Sequence, residues 1–204
     1  MRTLTYVVAV SLDGFVCAPD GSFDFFPDGV GDTGEFTFRE LPELIPTHLR
    51  EHFGIDALNK RFDTMLQGRG SYQVALDVGI TRPYAHMREY VFSHTLPQDV
   101  DPHVTVVSTD PVATVRELKR EENGLDVCLV GGPTIAGALL PEIDEILLKR
   151  YPVVAGAGKP VFHGAFTPTA FERARSIVFD SGADYTFFTR PGHPSQRMHP
   201  VGRS

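Results

Sequence analysis

The chain has 204 residues and 22.5 kDa, with 19 Lys and Arg against 26 Asp and Glu, a formal charge of −7. That length suits one large domain or two very small ones, and a hydrophobic content of 42% supports a packed core. The acidic balance excludes general binding to nucleic-acid backbones, which needs clustered cations. No apolar run reaches the ~20 residues of a membrane helix.

The first strand is read at Leu4–Val10. This β-branched stretch runs straight into Ser11-Leu12-Asp13-Gly14, so it reads as a buried strand rather than a signal peptide, and the protein as cytoplasmic. Cys17 and Cys128 belong to no CxxC pair; two buried thiols in a reducing compartment are expected, with no disulfide and no metal site. From Pro19 to Arg61 the chain mixes Phe23, Phe25, Phe26, Phe36 and Phe38 with Asp, Gly and Pro. An irregular excursion is expected there, then a helix around residues 47–59. Such a segment serves either as a lid or as a peripheral insertion.

Further strands are read at Thr64–Gln67, Glu89–Phe92, Val104–Val107, Val127–Val130, Glu145–Val154, Ser176–Phe179 and Tyr185–Thr189. Several are short and rich in Val, as strands covered on both faces are. Asp110-Pro111 reads as an N-cap with Pro at the first helical position. Val112, Val115 and Leu118 share one face of that helix, and Gly124 closes it. A second helix follows Gly131-Gly132-Pro133, with Ile135, Ala138 and Leu139 as its stripe. Strands alternating with helices imply an α/β fold with a mostly parallel sheet. Asp180-Ser181-Gly182-Ala183-Asp184 reads as a hairpin turn, so the sheet ends antiparallel. The polar, Pro-rich residues 191–204 read as a flexible tail after a domain at 1–190.

Four places carry candidate chemistry. Val130-Gly131-Gly132-Pro133-Thr134-Ile135-Ala136 takes a buried strand through two glycines into a helix. The missing β-carbons allow close approach to the backbone, and the helix start favours a phosphate; a tight turn with no ligand is the other reading. Gln67-Gly68-Arg69-Gly70-Ser71-Tyr72 repeats the arrangement. Arg69 suits a phosphate, or else is a surface cation. Ser93-His94-Thr95 ends a third strand. Asp13 follows the first strand, either as a proton relay or substrate anchor, or as a turn-forming residue that caps local backbone. Several phosphate-sized sites at strand ends favour a dinucleotide.

Taken together, five segments resemble the dihydrofolate reductase-like superfamily, in the branch of the riboflavin deaminase–reductase C-terminal domain. They are residues 9–16, 63–72, 91–96, 129–135 and 152–162, the last reading Pro-Val-Val-Ala-Gly-Ala-Gly-Lys-Pro-Val-Phe. The resemblance implies a single α/β domain with a mixed, mostly parallel sheet, antiparallel C-terminal strands and flanking helices. It implies NADPH as cofactor. Gly68, Arg69, Ser71 and Tyr72 would flank the adenosine phosphates, and Ser93, His94 and Thr95 the ribose 2′-phosphate. Val130, Gly131, Gly132, Thr134, Ile135 and Ala136 would cradle the pyrophosphate. Ala9 and Val10 would line the nicotinamide side. Asp13 would face the substrate space, with Asp13 or a water it orders supplying the proton, and Phe15, Phe25 and Phe26 would stack on a small planar substrate. A homodimer across the C-terminal strands, with Glu145–Val154 at the interface, is also implied.

The chain departs from the family in two places. It has no Trp, and residues 20–38 carry Phe25, Phe26, Pro27 and Asp28 where true dihydrofolate reductases have a Pro-Trp motif and a helix-opening acid. Phe15 also stands where riboflavin-pathway reductases place a basic residue. A reductase of unassigned substrate is therefore expected. A riboflavin-pathway reductase acting on a 5-amino-6-ribosylaminouracil phosphate, or an inactive nucleotide-binding module, are the alternatives.

Overall fold

The structure is a computed structural model and describes residues 1–27 and 31–193. In chain order its elements are β1 (Leu4–Val10), β2 (Phe15–Cys17), α1 (Asp32–Glu40), α2 (Thr47–Arg50), β3 (Phe62–Gly68), α3 (Arg69–Asp77), β4 (Arg88–Phe92) and β5 (Val104–Val107). Then come α4 (Pro111–Arg120), β6 (Asp126–Leu129), α5 (Pro133–Ala138), β7 (Glu145–Arg150), β8 (Lys159–Pro160), β9 (Glu172–Val178) and β10 (Asp184–Thr189).

β1 is apolar along nearly its whole length because it lies inside an eight-stranded sheet of order β5-β4-β3-β6-β1-β7-β10-β9. The strands from β5 to β7 run parallel, and β10 and β9 are antiparallel. The β9–β10 turn forms where expected: Phe179 N–H donates to Ala183 O at 2.9 Å, and Gly182 takes φ +83°. β2 and β8 form a separate two-stranded ribbon, which the sequence did not suggest.

Two buried clusters fill the two faces. Leu4, Tyr6, Leu66, Val127 and Leu129 pack with Val115 and Leu118 of α4, Ile135 and Ala136 of α5, and Leu139 just beyond it. Val7, Met65, Cys128 and Leu147 pack with Phe36 of α1, Tyr151 and Tyr185. A third group, built on Tyr72, Val91 and Val106, lies under α3. Burying one such large apolar side chain contributes about 1.5–3 kcal/mol.

Ion pairs gather at the amino ends of the strands. Arg2 pairs with Asp63 and Glu121, Glu121 also holds Arg88, and the buried Arg61 pairs with Glu145. These acids therefore stand at the opposite end of the sheet from Gly68 and Phe92, where β3 and β4 finish.

Several expectations are corrected. Only Thr47–Arg50 of the helix expected at residues 47–59 is helical. That stretch offers no buried side chain, and Leu58 is 87% exposed, so nothing holds a longer helix. The main helix of the excursion is instead α1. Its Asp32 accepts from Thr33 N–H and from Ser181 N–H, and Phe36 packs edge-on against Phe179 and Tyr185. α4 stops at Arg120, before Gly124, because Glu121 is drawn to Arg2 and Arg88. β7 stops at Arg150, ahead of Pro152, which cannot donate to a ladder. β7 is bonded on both edges, by β1 and β10, and the edge strands of the sheet are β5 and β9. Of the expected tail, residues 194–204 lie outside the described residues, as does Asp28.

Candidate cofactor cleft

A cleft of about 480 Å³ opens where β3, β4 and β5 end and where α3, α4 and α5 begin. Gly68, Arg69 and Gly70 form one wall, and Phe92, Ser93 and His94 the next. Val107, Thr109 and Pro111 follow, then Gly132, Pro133, Thr134, Ile135 and Ala138, with Lys159 of β8 at the rim. Parallel strands leave such crevices at their carboxyl ends. Among the described residues that line the cleft none is acidic, and Arg69, Lys159 and His94 are basic types, in a chain whose net charge is −7.

The floor depends on glycine at two positions. Gly68 N–H donates to Gly131 O at 2.7 Å, and a β-carbon on Gly68 would lie 3.0 Å from Gly132 N and 3.1 Å from Ile135 Cγ2. Gly131 has φ +127°, and a β-carbon there would lie 2.7 Å from Ser71 Oγ. The Gly131–Gly132 peptide is cis. α3 starts after Gly68 and α5 after Gly132, in each case with no side chain capping the first turn. α4 differs, since Asp110 accepts from Val112 N–H at 2.9 Å. First-turn N–H groups without caps attract acceptors. Arg69 adds a sharper signal: its Nη1 is buried and makes no hydrogen bond. A buried donor left unsatisfied costs about 1–3 kcal/mol, which an anionic ligand would relieve.

Of the residues expected to hold cofactor, the cleft gathers Gly68, Arg69, Ser93, His94, Gly132, Thr134 and Ile135. Gly131 and Ser71 lie just behind the wall, packed on each other. Ser93 Oγ accepts from the N–H groups of Thr95 and Leu96 at 3.2 and 3.0 Å, which shapes the turn and leaves Thr95 exposed outside the lining. Tyr72 faces away: it is fully buried under α3, and its hydroxyl donates to Thr81 O. Ala136 is turned into the core beneath α5. Val10 is buried at the end of β1. Ala9, Val130 and Phe26 pack against the cluster on the α1 face, the other side of the sheet from α5.

The three phenylalanines do not converge. Phe26 stacks on Phe25 and Tyr151, with ring centroids 4.3 and 5.4 Å apart. Phe15 sits in the β2–β8 ribbon, opposite Pro160. Sequence reading passed over Lys159, Thr109 and Phe92. The Gly-Ala-Gly-Lys run before β8 was the one available signal for Lys159.

Asp13 is placed unlike a free acid. One carboxylate oxygen accepts from Ser11 Oγ at 2.6 Å and Ala155 N–H at 3.0 Å; the other accepts from Gly156 N–H at 2.7 Å. The Ser11 hydroxyl, followed by the Ala155 amide, holds its pKa down at about 2. At neutral pH this carboxylate is ionised and carries no proton to donate.

Fold and cleft together define an α/β protein of the dihydrofolate reductase-like kind. The chain belongs to the family of RibD C-terminal domains, whose model matches residues 2–184. Among relatives, the uncharacterized protein YwjB of Bacillus subtilis (strain 168) is 30% identical over 166 residues, 79% of this chain and 83% of YwjB. The uncharacterized YyaP of the same organism is 26% identical over 197 residues, 89% of this chain and 91% of YyaP. A protein of Shewanella sp. PV-4, provisionally named for riboflavin biosynthesis, superposes with a TM-score of 0.67 at 22% identity, over 93% of this chain and 99% of that one. Dihydrofolate reductase from Enterococcus faecalis, complexed with NADP(H) and RAB-propyl, superposes with a TM-score of 0.60 at 15% identity, over 92% and 96% of the two chains. These two likenesses concern the fold. Among the described residues no helix is long and apolar enough to cross a membrane.

Proposed function

We propose that the protein is an NADPH-dependent reductase acting on a small planar heterocyclic or carbonyl substrate. The observation that carries this reading is the cleft with no acid among its described lining residues and with the buried, unpartnered Nη1 of Arg69. It suits a ligand bearing several phosphates. Membership of the RibD C-terminal domain family supports the same reading, and so does the dihydrofolate reductase-like fold.

When bound, NADPH supplies a hydride from its nicotinamide ring. The chain's residues do the rest. Arg69 and the uncapped starts of α3 and α5 bind phosphate oxygens. Gly68 and Gly132 let the ligand approach the backbone. Phe92, Val107, Ile135 and Ala138 exclude water from the apolar part of the cleft. The proton that balances hydride addition comes from solvent rather than from Asp13, whose lone pairs already serve three donors.

Isothermal titration with NADPH tests the cofactor; micromolar or tighter binding is expected, and no heat at protein concentrations of 100 μM would overturn the reading. NADPH oxidation with a panel of carbonyl and heterocyclic compounds then separates an active reductase from an inactive nucleotide-binding module.

The family match favours one specific substrate as a second reading, a 5-amino-6-ribosylaminouracil phosphate. Turnover of that compound above the rest of the panel would select it. A reductase drawing on NADPH and keeping Cys17 and Cys128 as free thiols suits the cytoplasm. The homodimer proposed across the C-terminal strands would have β9 as the open sheet edge on that side.

A further inference from the structure

The β2–β8 ribbon brings Lys159 into the lining of the cleft. Its backbone is held from both directions. Cys17 pairs with Lys159, and Phe15 with Pro160, across the ribbon. Val161 N–H donates to Gly14 O at 3.2 Å. Gly158 lies so close to β2 that a β-carbon there would strike Cys17 O and reach within 3.1 Å of Phe15 Cβ. On the upstream side, Leu12 N–H donates to Val153 O at 2.7 Å, and the Asp13 carboxylate takes the N–H groups of Ala155 and Gly156. Only two residues separate that clamp from Lys159.

Lys159 lines the cleft, and its Nζ rests 3.3 Å from where a β-carbon of Gly21, next to Asp20, would lie. Asp20 is exposed, and its pKa is lowered first by the Ser22 N–H and hydroxyl, with Lys159 adding to the effect. Lys159 is exposed, so its ammonium is a solvated charge on a flexible stem, on a residue that lines the cleft together with Arg69.

Resting on the dinucleotide reading above, we propose that Lys159 is a second cation for the ligand's phosphates, and that Asp13 is a positioning residue that holds the Lys159 segment in place. Asp13 acts through its carboxylate as an acceptor of two amides, so its charge is used structurally. Arg69 grips from the β3–α3 side and Lys159 from the β8 side, so the phosphates would be bracketed by cations on two separate elements.

The test is a double-mutant cycle read by calorimetric titration with NADPH, using Lys159→Met, Asp13→Asn and the two combined. Lys159→Met is expected to weaken binding about tenfold, the loss of one charge-assisted contact, and to flatten the dependence of affinity on salt. Lys159→Arg should recover most of the affinity. Asp13→Asn should weaken binding by a similar factor, and the double variant should bind no worse than Lys159→Met alone. A merely structural Asp13 would instead give losses that multiply. Asp13→Ser serves in the same cycle should Asp13→Asn melt early. Wild-type affinity in Lys159→Met, or multiplicative losses, overturns this proposal while leaving the dinucleotide reading intact. Absence of NADPH binding by the wild-type protein overturns that reading, and this one with it.

Discussion

The hydroxyl oxygen of Ser71 stands 2.7 Å from the point that a β-carbon on Gly131 would occupy. Ser71 lies in the first turn of α3, and Gly131 follows β6, so two strand-to-helix junctions touch through a glycine. The floor of the cleft rests on that contact. Gly131→Ala would add a methyl inside the radius of Ser71 Oγ, at a φ of +127° that L-residues rarely adopt. A loss of about 1–3 kcal/mol is expected by urea denaturation. Ser71→Ala added to it should restore the steric part but not the conformational part, because Ser71 Cβ is 3.8 Å away.

Arg69→Ala removes the guanidinium whose Nη1 is buried without a partner. NADPH affinity should fall by tenfold or more. If Arg69 stands near the ribose 2′-phosphate, NADH affinity should fall less, and titrations with both cofactors give the ratio. Equal losses would move Arg69 to a phosphate shared by the two.

Glu89 on β4 is 1% exposed. One oxygen accepts from Tyr84 N–H at 3.0 Å, and the other is buried with no hydrogen bond. Burial pushes its pKa up to about 7, with the Tyr84 amide and Arg82 opposing and Asp101 adding to the rise; Tyr72 and Tyr84 are the other titratable groups under its influence. Between the ordinary glutamate value and about 7 the folded state holds a proton that the unfolded state has lost. Stability therefore falls as pH rises through that window and levels off above it. The fall attributable to Glu89 is on the order of 2 kcal/mol between pH 5 and pH 8. Glu89→Gln, which keeps the acceptor for Tyr84, should remove most of it, as seen in urea midpoints at the two pH values.

Asp20→Asn bears on the rim. Freed from the neighbouring carboxylate, the Lys159 ammonium should favour the cleft more. NADPH affinity is expected to rise two- to threefold, roughly the worth of one exposed charge pair. In a Lys159→Met background the gain should vanish. An equal gain in both backgrounds would mean that Asp20 acts by general field alone.

Much of the sheet was legible because it rests on short-range patterns. Leu4–Val10 and Val104–Val107 are apolar runs of strand length, and both strands have the expected bounds. Asp110-Pro111 carried enough capping chemistry to mark the start of α4. The excursion before β3 was not legible. Phe36 becomes core only because Phe179 and Tyr185, more than 140 residues away, come to meet it. The helix pattern at residues 47–59 found no such partner.

The site divides in the same way. Gly68, Arg69, Ser93 and Gly132 sit where strands end, which the local sequence determined, and the cleft contains all four. Side-chain direction was another matter. Tyr72 is three residues beyond Arg69 yet turns into the core, because the helix carries it round to the sheet side of α3. Lys159 reaches the rim through the small β2–β8 ribbon, and Asp13 is occupied by two amides of a loop some 140 residues downstream.

By itself the sequence determined the parallel α/β sheet, the glycine turns at its carboxyl end and the presence of one cation beside them. Periodicity, caps and glycines act over a few residues and are written in the chain directly. Only the tertiary structure decided that Lys159 lines the same cleft as Arg69, that in a chain of net charge −7 no described lining residue of this cleft is acidic, and that the Asp13 carboxylate holds the Ala155 and Gly156 amides. Those are relations between segments brought together by packing, and no local pattern encodes the distance between them.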